Sequence, residues 1–541
     1  MESRDKRTAN ATVGSEPREI ETSVAHVTVA GVVVVKLIAV VVYLLVLLGI
    51  GAVASRRMKD VKDYFAAGKR LGFWSVAFSA RATGESAWLL LGLTGMGAVV
   101  GAKALWVVLG EVIGVAGAWL LMCRRFKGLT DRYDSVTVPD YLEDRLRDKT
   151  HRLRIVSAVA LVVFVTIYVR AQIDATGKAF EIFLGWNYFV GIGVGFVVVL
   201  VYIVAGGFLA VAWSDVFQGS LMFLGLTALP VIGLITLGGV GEMSARLYAI
   251  DPGLLSLAGP GDGWTLPTIL SVISLSLIGL GFLGSPQIFV RFIALEKKSD
   301  IKHGAKVAIT FTVLSDLGAV LIGMVGRAAL TEPAQALESV LGNGGENVLP
   351  LLVENLLPLI LVGVFVAIVL SAIMSTVDSL LVLAGSALVR DVYQKVLHPK
   401  LPDNELVSKS RVATFALAAV ALIIAVTVAL ITPDRTVFWF VIFGWSGISA
   451  TFCPTLILSL FWRRLTANGA IGAMLVGFAC VPLFKFAAPL LPGVGDGFKT
   501  LGELPPAFLL SGLTGLVVSL LDKRGQAAVA SVADELDDAR R

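Results

Sequence analysis

Long runs of apolar residues, separated by short polar loops, dominate the chain from residue 31 onward. The runs are long enough to cross a bilayer, and they predict an all-α membrane protein with about 13 transmembrane helices of about 20 residues each. The predicted helices lie near 31–54, 72–98, 102–123, 153–181, 186–206, 212–238, 266–292, 304–327, 348–388, 410–431, 437–462, 467–489 and 504–521.

Two of these helices contain residues that do not suit a straight transmembrane helix. The second has small, polar and charged residues at 79–88, and the seventh has Gly279, Gly281, Gly284 and Pro286. Glycine and proline both weaken a helix. Irregular backbone persists in a membrane only where it is buried in protein or lines a cavity. Close helix packing through small residues is the alternative explanation.

The two interrupted helices are five helices apart, which predicts two inverted repeats at about 72–238 and 266–462. In many secondary transporters such paired breaks mark the substrate and ion site near the membrane midplane. The pattern therefore favours a solute transporter. The ninth predicted helix is too long for one straight crossing, so we expect it to bend or to project into water.

Ionisable residues inside membrane helices are costly and usually functional. Arg81 and Glu85 are four residues apart, as are Arg170 and Asp174, so each pair can neutralise itself on one helix face. A structural salt bridge is expected for Arg170 and Asp174. Glu85 lies within the predicted break, which makes it a candidate proton carrier.

The ninth predicted helix carries a polar face. Ser375, Asp378 and Ser379 share that face by their spacing, and Thr376 lies beside it. Three hydroxyls and one carboxylate suit an alkali cation. Hydrogen bonds from the hydroxyls back to their own helix are the alternative.

Composition and charge agree with a membrane protein. Hydrophobic residues make up 56% of the chain and charged residues 16%, with a mean hydropathy of +0.84. The net charge of +5 arises from basic loops on one side, which indicates orientation in the bilayer and not nucleic-acid binding. The loops near 239–265 and 328–347 hold almost no Lys or Arg, so the N-terminus is expected outside and the C-terminus in the cytoplasm.

The remaining features narrow the possibilities. Residues 1–25 lack the apolar core of a signal peptide, so we expect a disordered outer tail, a transmembrane domain at 26–524 and a cytoplasmic tail at 525–541. The three cysteines fit neither a disulfide framework nor a metal site. The sequence has no Walker A or HExxH motif, and its four histidines are scattered, so neither an enzyme nor a cofactor is expected.

Several long motifs resemble one known family. From residue 36 to about 524 the chain resembles the sodium:solute symporters, and among them most closely the sodium/proline symporters. The resemblance implies a LeuT-like core of two inverted five-helix repeats. The stretches that carry it are AGKRLGFWSVAFSARATGESAWLLLGLTG, TVPDYLEDRL, GGFLAVAWSDVFQGSLM, LGSPQIFVRF, SAIMSTVDS and FWRRLTANGA.

The resemblance also implies binding residues. A sodium ion is expected among the carbonyls of Ala82, Glu85 and Ala372 and the hydroxyls of Ser375 and Thr376. Some members hold a second cation, and the matching positions for that cation or a proton are Asp215, Ser375, Asp378 and Ser379. The residues expected to bind the substrate are Ser86, Trp88, Tyr168, Ile278, Phe282 and Pro286.

Three positions depart from the sodium/proline pattern. Gly84 stands where the proline carriers have an Asp, and Ile278 and Phe282 stand where they have a Trp and a Tyr. The predicted pocket is accordingly more apolar. Sodium-coupled uptake of proline or a related amino acid in the cell membrane is the expected function. The alternatives are proton-coupled symport of another small organic solute and a transporter-like solute sensor.

Overall fold

A computed structural model of the chain describes residues 17–57, 61–261, 263–402, 405–432 and 436–539. Within these ranges all regular structure is helical, apart from a single bridge between Leu71 and Leu295. The all-α class predicted from hydropathy is confirmed. The predicted tail at 1–25 lies largely outside the described residues.

We number the α-helices in chain order. The first twelve are α1 Pro17–Arg57, α2 Val61–Ala66, α3 Phe73–Ala87, α4 Thr94–Val100, α5 Leu105–Gly117, α6 Cys123–Arg132, α7 Val138–Leu146, α8 Arg152–Leu184, α9 Tyr188–Leu237, α10 Val240–Ile250, α11 Leu266–Leu277 and α12 Pro286–Ala294. The others are α13 Ile301–Leu330, α14 Leu337–Leu341, α15 Val348–Leu356, α16 Leu359–Ser386, α17 Leu406–Ile431, α18 Val437–Phe461, α19 Ala467–Pro482, α20 Gly495–Leu501, α21 Leu504–Leu521, α22 Lys523–Ala528 and α23 Val532–Asp538.

Among the described residues, 11 helical stretches are long and apolar enough to cross a membrane, so the predicted count of 13 is not confirmed. One stretch, Phe73–Arg132, is 60 residues long and covers the second and third predicted helices together. Gly101 interrupts it, because its backbone has φ 57° and a Cβ there would lie 1.9 Å from the Leu254 carbonyl oxygen. The fifth and sixth predicted helices both lie within α9, whose backbone leaves helical geometry at Gly207 with φ 57° and ψ −165°.

Both helix breaks predicted from the sequence are present. In α3 the backbone leaves helical geometry at Ser86, with φ 44° and ψ −169°. In the second break α11 ends at Leu277, a 3-10 turn follows, and α12 begins at Pro286. A proline suits the first position of a helix because that amide has no partner there. The long predicted helix at 348–388 is divided at Pro358, which lies between α15 and α16.

The broken helix α3 lies at the centre of the molecule, where it contacts α9, α12, α13 and α16. Helix α16 is almost entirely buried, whereas α1 and α21 expose long apolar faces, as expected of helices that border lipid. The break at Ser86 is therefore enclosed by other helices. This enclosure satisfies the condition for irregular backbone at membrane depth.

Candidate functional site

Two hydroxyl groups of α16 contact the last helical turn of α3 before its break. The Ser375 hydroxyl donates a hydrogen bond to the Ala82 carbonyl over 3.0 Å, and the Thr376 hydroxyl donates to the Thr83 carbonyl over 3.1 Å. Both hydroxyls also lie within 3.3 Å of the Ala372 carbonyl in their own helix. All of these groups are buried. The arrangement gathers neutral oxygen atoms, the ligand type that hard cations prefer.

Four of the five residues expected to hold sodium therefore share one site, namely Ala82, Ala372, Ser375 and Thr376. The fifth, Glu85, lies one residue before the break, and its carbonyl accepts a hydrogen bond from the Trp88 amide. The Thr83 carbonyl, which the sequence did not single out, takes part directly. The back-bonding alternative is also realised, because each hydroxyl reaches its own helix as well as α3.

Two of the residues expected to hold a second cation, Asp215 and Ser379, contact a buried arginine. The Asp215 carboxylate lies 2.6 Å from the Ser79 hydroxyl and 2.9 Å from the Arg291 guanidinium, which is fully buried. The same guanidinium donates to Ser79, Thr83 and Ser379. It therefore occupies the neighbourhood of Asp215 and Ser379. The Asp378 carboxylate accepts hydrogen bonds from the amide and hydroxyl of Ser379.

Sequence reasoning missed Arg291, although a signal was present. An arginine in the apolar segment PQIFVRFIA of α12 is an ionisable residue inside the membrane, and such a residue needs a partner. The partner could not be named, because Asp215 and Arg291 are 76 residues apart in the chain.

A second buried group of charges lies behind the α3 break. Arg81 pairs with Glu85, as its spacing predicted, and also lies 3.5 Å from Glu111 of α5 and 3.9 Å from Asp316 of α13. Oxygen atoms of the three carboxyl groups lie within 4.8 Å of one another. All four side chains are at most 1% exposed. The sequence analysis did not single out Glu111 and Asp316, although both are acidic residues within predicted transmembrane helices.

Residues expected to bind the substrate lie around the two breaks. At the first break, the Ser86 hydroxyl lies 3.4 Å from the Tyr168 hydroxyl and 3.3 Å from the Gln172 amide nitrogen. The Gln172 oxygen accepts a hydrogen bond from the Ala87 amide. The Trp88 indole donates to the Gly84 carbonyl. These contacts hold a polar corner against the broken backbone, and Gln172 is an addition to the predicted set.

The second break contributes an apolar wall. Ile278 and Phe282 lie in the 3-10 turn that joins α11 to α12. The indole of Trp445 in α18 donates to the Ile278 carbonyl over 3.0 Å, and its ring centroid lies 5.0 Å from that of Phe282. Pro286 begins α12 and ends the break. Trp445 is a further residue that the sequence analysis did not single out.

The salt bridge predicted between Arg170 and Asp174 stays a prediction, and the described contacts of both residues are with aromatic side chains. The Arg170 guanidinium carbon lies 4.0 Å from the centre of the Phe440 ring. The Asp174 carboxylate accepts a hydrogen bond from the Tyr188 hydroxyl. Both residues are buried in α8. Aromatic groups from other helices therefore contribute to the environment of both charges.

Comparison with known proteins identifies the family to which this chain belongs. The model of the sodium:solute symporter family matches residues 64–477. The chain belongs to the sodium:solute symporter family. The high-affinity proline transporter PutP of Bacillus subtilis is 34% identical over 490 residues, which cover 90% of this chain and 98% of the relative. The sodium/proline symporter of Escherichia coli is 32% identical over 502 residues, covering 93% and 96%.

Solved structures of other transporters share the fold. A Na+-coupled sialic acid symporter aligns with a TM-score of 0.72 at 16% identity, covering 90% of this chain and 98% of its own. MhsT in complex with L-phenylalanine aligns with a TM-score of 0.51 at 18% identity, covering 83% and 98%. The predicted LeuT-like core is confirmed. This sodium:solute symporter is a multi-pass membrane protein and not an enzyme.

One departure from the sodium/proline symporters has a structural counterpart. At Gly84 an added Cβ would lie 2.8 Å from the Phe282 ring. The Phe282 ring thus lies where a longer side chain at position 84 would begin. Positions 84 and 282, at which the sequence predicts departures from the sodium/proline pattern, therefore lie against each other.

Proposed function

We propose that this symporter takes up a small organic solute together with Na+, and that the solute is proline or a related amino acid. The observation that carries the proposal is the contact of the Ser375 and Thr376 hydroxyls with the Ala82 and Thr83 carbonyls. A cation bound among these oxygens would tie α16 to the broken helix α3. Ordering of the break would in turn order the polar corner at Ser86.

The charges around Asp215 favour one Na+ per solute. The Arg291 guanidinium is a permanent internal cation beside the predicted second ion position, since arginine keeps its proton in proteins. A second Na+ there would have to approach this positive charge in a buried environment. At the proposed site, the hydroxyls of Ser375 and Thr376 contact backbone carbonyls of α3 and α16.

The pocket residues suit a small solute with a polar end and an apolar side. The hydroxyls of Ser86 and Tyr168 and the amide of Gln172 offer hydrogen bonds at one break. Phe282 and Trp445 offer aromatic surface at the other. Proline has this division between a charged backbone and an apolar ring, and relatives named for proline transport cover nearly the whole chain.

The proposed cycle uses the membrane potential directly. With the basic loops in the cytoplasm, as the sequence predicts, Na+ enters from the outer side together with the solute. One Na+ moving inward at 100 mV, negative inside, supplies about 2.3 kcal/mol. That energy corresponds to a roughly fifty-fold concentration of solute before the sodium gradient is added.

Proton-coupled symport is the second candidate, and the buried carboxyl groups of Glu85, Glu111 and Asp316 favour it. Transport measured with the purified protein in liposomes distinguishes Na+ coupling from proton coupling. Radiolabelled L-proline is offered with an inward gradient of either Na+ or protons. Uptake driven by Na+ alone supports the proposal. Uptake driven by protons alone refutes Na+ as the coupling ion. A panel of competing amino acids then tests the solute.

A further inference from the structure

The Arg81 guanidinium covers one face of a predicted substrate residue. Its central carbon lies 4.7 Å from the centre of the Phe282 ring, and both side chains are buried. A cation over an aromatic face is attractive, and more so away from water. The positive charge beside Phe282 therefore comes from the protein and not from the substrate.

Other groups enclose the same ring. Gly84 lies so close that a Cβ would come within 2.8 Å of one ring carbon and 3.2 Å of the next. Trp445 packs at 5.0 Å between centroids. The Phe282 ring is thus confined between Arg81, Gly84 and Trp445, and its orientation is fixed on three sides.

Arg81 is itself held by charges from three helices. Glu85 of α3, Glu111 of α5 and Asp316 of α13 all lie in ion-pair range of the guanidinium. A metal ion among these oxygens would share the space with that guanidinium. We interpret the three carboxyl groups as partners that hold the Arg81 guanidinium in place, and not as ligands of a further ion.

We propose that Arg81 is a positioning residue that sets solute selectivity by holding Phe282 against Gly84. The inference rests on the proposed transport function and deepens it. It implies a solute that presents a small apolar side to the ring, as a neutral amino acid with a compact side chain does. A charged side chain would face an aromatic wall with no partner.

The first test is transport kinetics in liposomes. Arg81→Gln is expected to raise the KM for L-proline roughly ten-fold, on the scale of a buried cation–π contact, and to change kcat much less. It should also improve the competition by bulkier neutral amino acids such as L-leucine. Arg81→Lys keeps a cation and should recover part of the KM. A variant that lowers only kcat, with unchanged solute preference, would overturn the proposal.

A second test needs no solute. Thermal unfolding of the wild type, Arg81→Gln, Phe282→Leu and the double variant forms a double-mutant cycle. Coupled effects support contact between the two side chains, and additive effects contradict it. If the wild type fails to transport proline while the cycle shows coupling, the proposed solute is wrong and the positioning role stands.

A separate observation concerns the acidic C-terminal helix α23. Glu535 lies 2.7 Å from the Arg147 guanidinium and 3.8 Å from that of Arg132. Asp538 also pairs with Arg132, and Asp537 pairs with Arg463 over 2.6 Å. Apolar contacts add to these charges, because Val532, Leu536 and Ala539 are buried.

The basic partners of α23 lie within the first predicted repeat and directly after the second. Arg132 and Arg147 lie within the first, at 72–238, whereas Arg463 directly follows the second, at 266–462. If the repeats move against each other during transport, these distances must change. We infer that α23 is a clasp that links the repeats on the cytoplasmic side and slows the transport cycle.

The clasp depends on partly exposed ion pairs, which salt screens. In the Arg463–Asp537 pair the side chains are 56% and 47% exposed. Removal of the charges by Glu535→Gln, Asp537→Asn and Asp538→Asn together should raise the turnover of L-proline uptake several-fold at low ionic strength. The same variant should make turnover less sensitive to added choline chloride.

Asp534→Asn is the matched control, since Asp534 is an exposed carboxylate of the same helix. It should leave turnover unchanged. Hydrogen exchange of the α23 amides in lipid nanodiscs tests the clasp without any solute. In the wild type, the exchange rate of these amides should rise with salt concentration. Equal turnover in the triple variant and the wild type, or exchange in α23 that does not respond to salt, would overturn the clasp.

Discussion

Replacement of Arg291 tests most directly whether its guanidinium acts as an internal cation beside Asp215. The guanidinium contacts Asp215 over 2.9 Å and donates to the hydroxyls of Ser79, Thr83 and Ser379, all out of contact with water. Arg291→Met removes the charge and keeps an unbranched apolar side chain. The Asp215 carboxylate would then be a buried charge without its principal partner.

The expected cost follows from that geometry. Removal of one partner from a buried ion pair destabilises a protein by about 3–5 kcal/mol. If Na+ can bind beside Asp215 once Arg291 is gone, it should restore part of this loss. A ligand at a hundred times its dissociation constant contributes about 2.7 kcal/mol, so most of a 3 kcal/mol loss is recoverable at high sodium concentration.

Thermal unfolding in detergent, with Na+ replaced stepwise by choline, provides the assay. The variant should be less stable than the wild type in choline, and its stability should rise more steeply with sodium concentration. Removal of both charges in Arg291→Met combined with Asp215→Asn should be milder than Arg291→Met alone. A double variant as unstable as the single one, together with equal sodium dependence in variant and wild type, would refute the internal-cation account.

Further predictions concern the sodium site and the packing around it. Ser375→Ala and Thr376→Ala should each raise the sodium concentration for half-maximal uptake by roughly ten-fold, because each removes one oxygen ligand or hydrogen bond of about 1.4 kcal/mol. Ser386→Ala in the same helix is the control, since the described hydrogen bond of its hydroxyl, to the Leu383 carbonyl, stays within α16. Gly110→Ala should lower thermal stability by about 1–3 kcal/mol, because a Cβ there would lie 2.0 Å from the Ser276 carbonyl oxygen. Gly193→Ala, with open space around it, should be neutral in the same unfolding assay.

The sequence predicted those features of the fold that depend on local chemistry. Apolar runs identified the membrane class, and the glycines and Pro286 of the seventh predicted helix located its break correctly. The polar run at 79–88 located the other, at Ser86. The helix count was less predictable. The second and third predicted helices form one apolar stretch because only a short turn at Gly101, where the backbone leaves helical geometry, separates them.

The pairing of distant charges was beyond sequence reasoning. The spacing of Arg81 and Glu85 identified their mutual contact, but helical spacing compares only residues within one helix. Glu111 and Asp316 join them from two other helices, and this requires the tertiary arrangement. The same limit explains why the resemblance placed Asp215 and Ser379 in an ion site without placing Arg291 between them.

The central claim is that Na+ bound between α3 and α16 drives uptake of the solute. Its most direct test counts radioactive Na+ and radiolabelled L-proline entering the same liposomes, for the wild type and for the Ser375→Ala, Thr376→Ala double variant. The account predicts about one Na+ for each proline in the wild type, and loss of both fluxes at the same sodium concentration in the variant. Proline entry without accompanying Na+, or a double variant with unchanged sodium dependence, would contradict it.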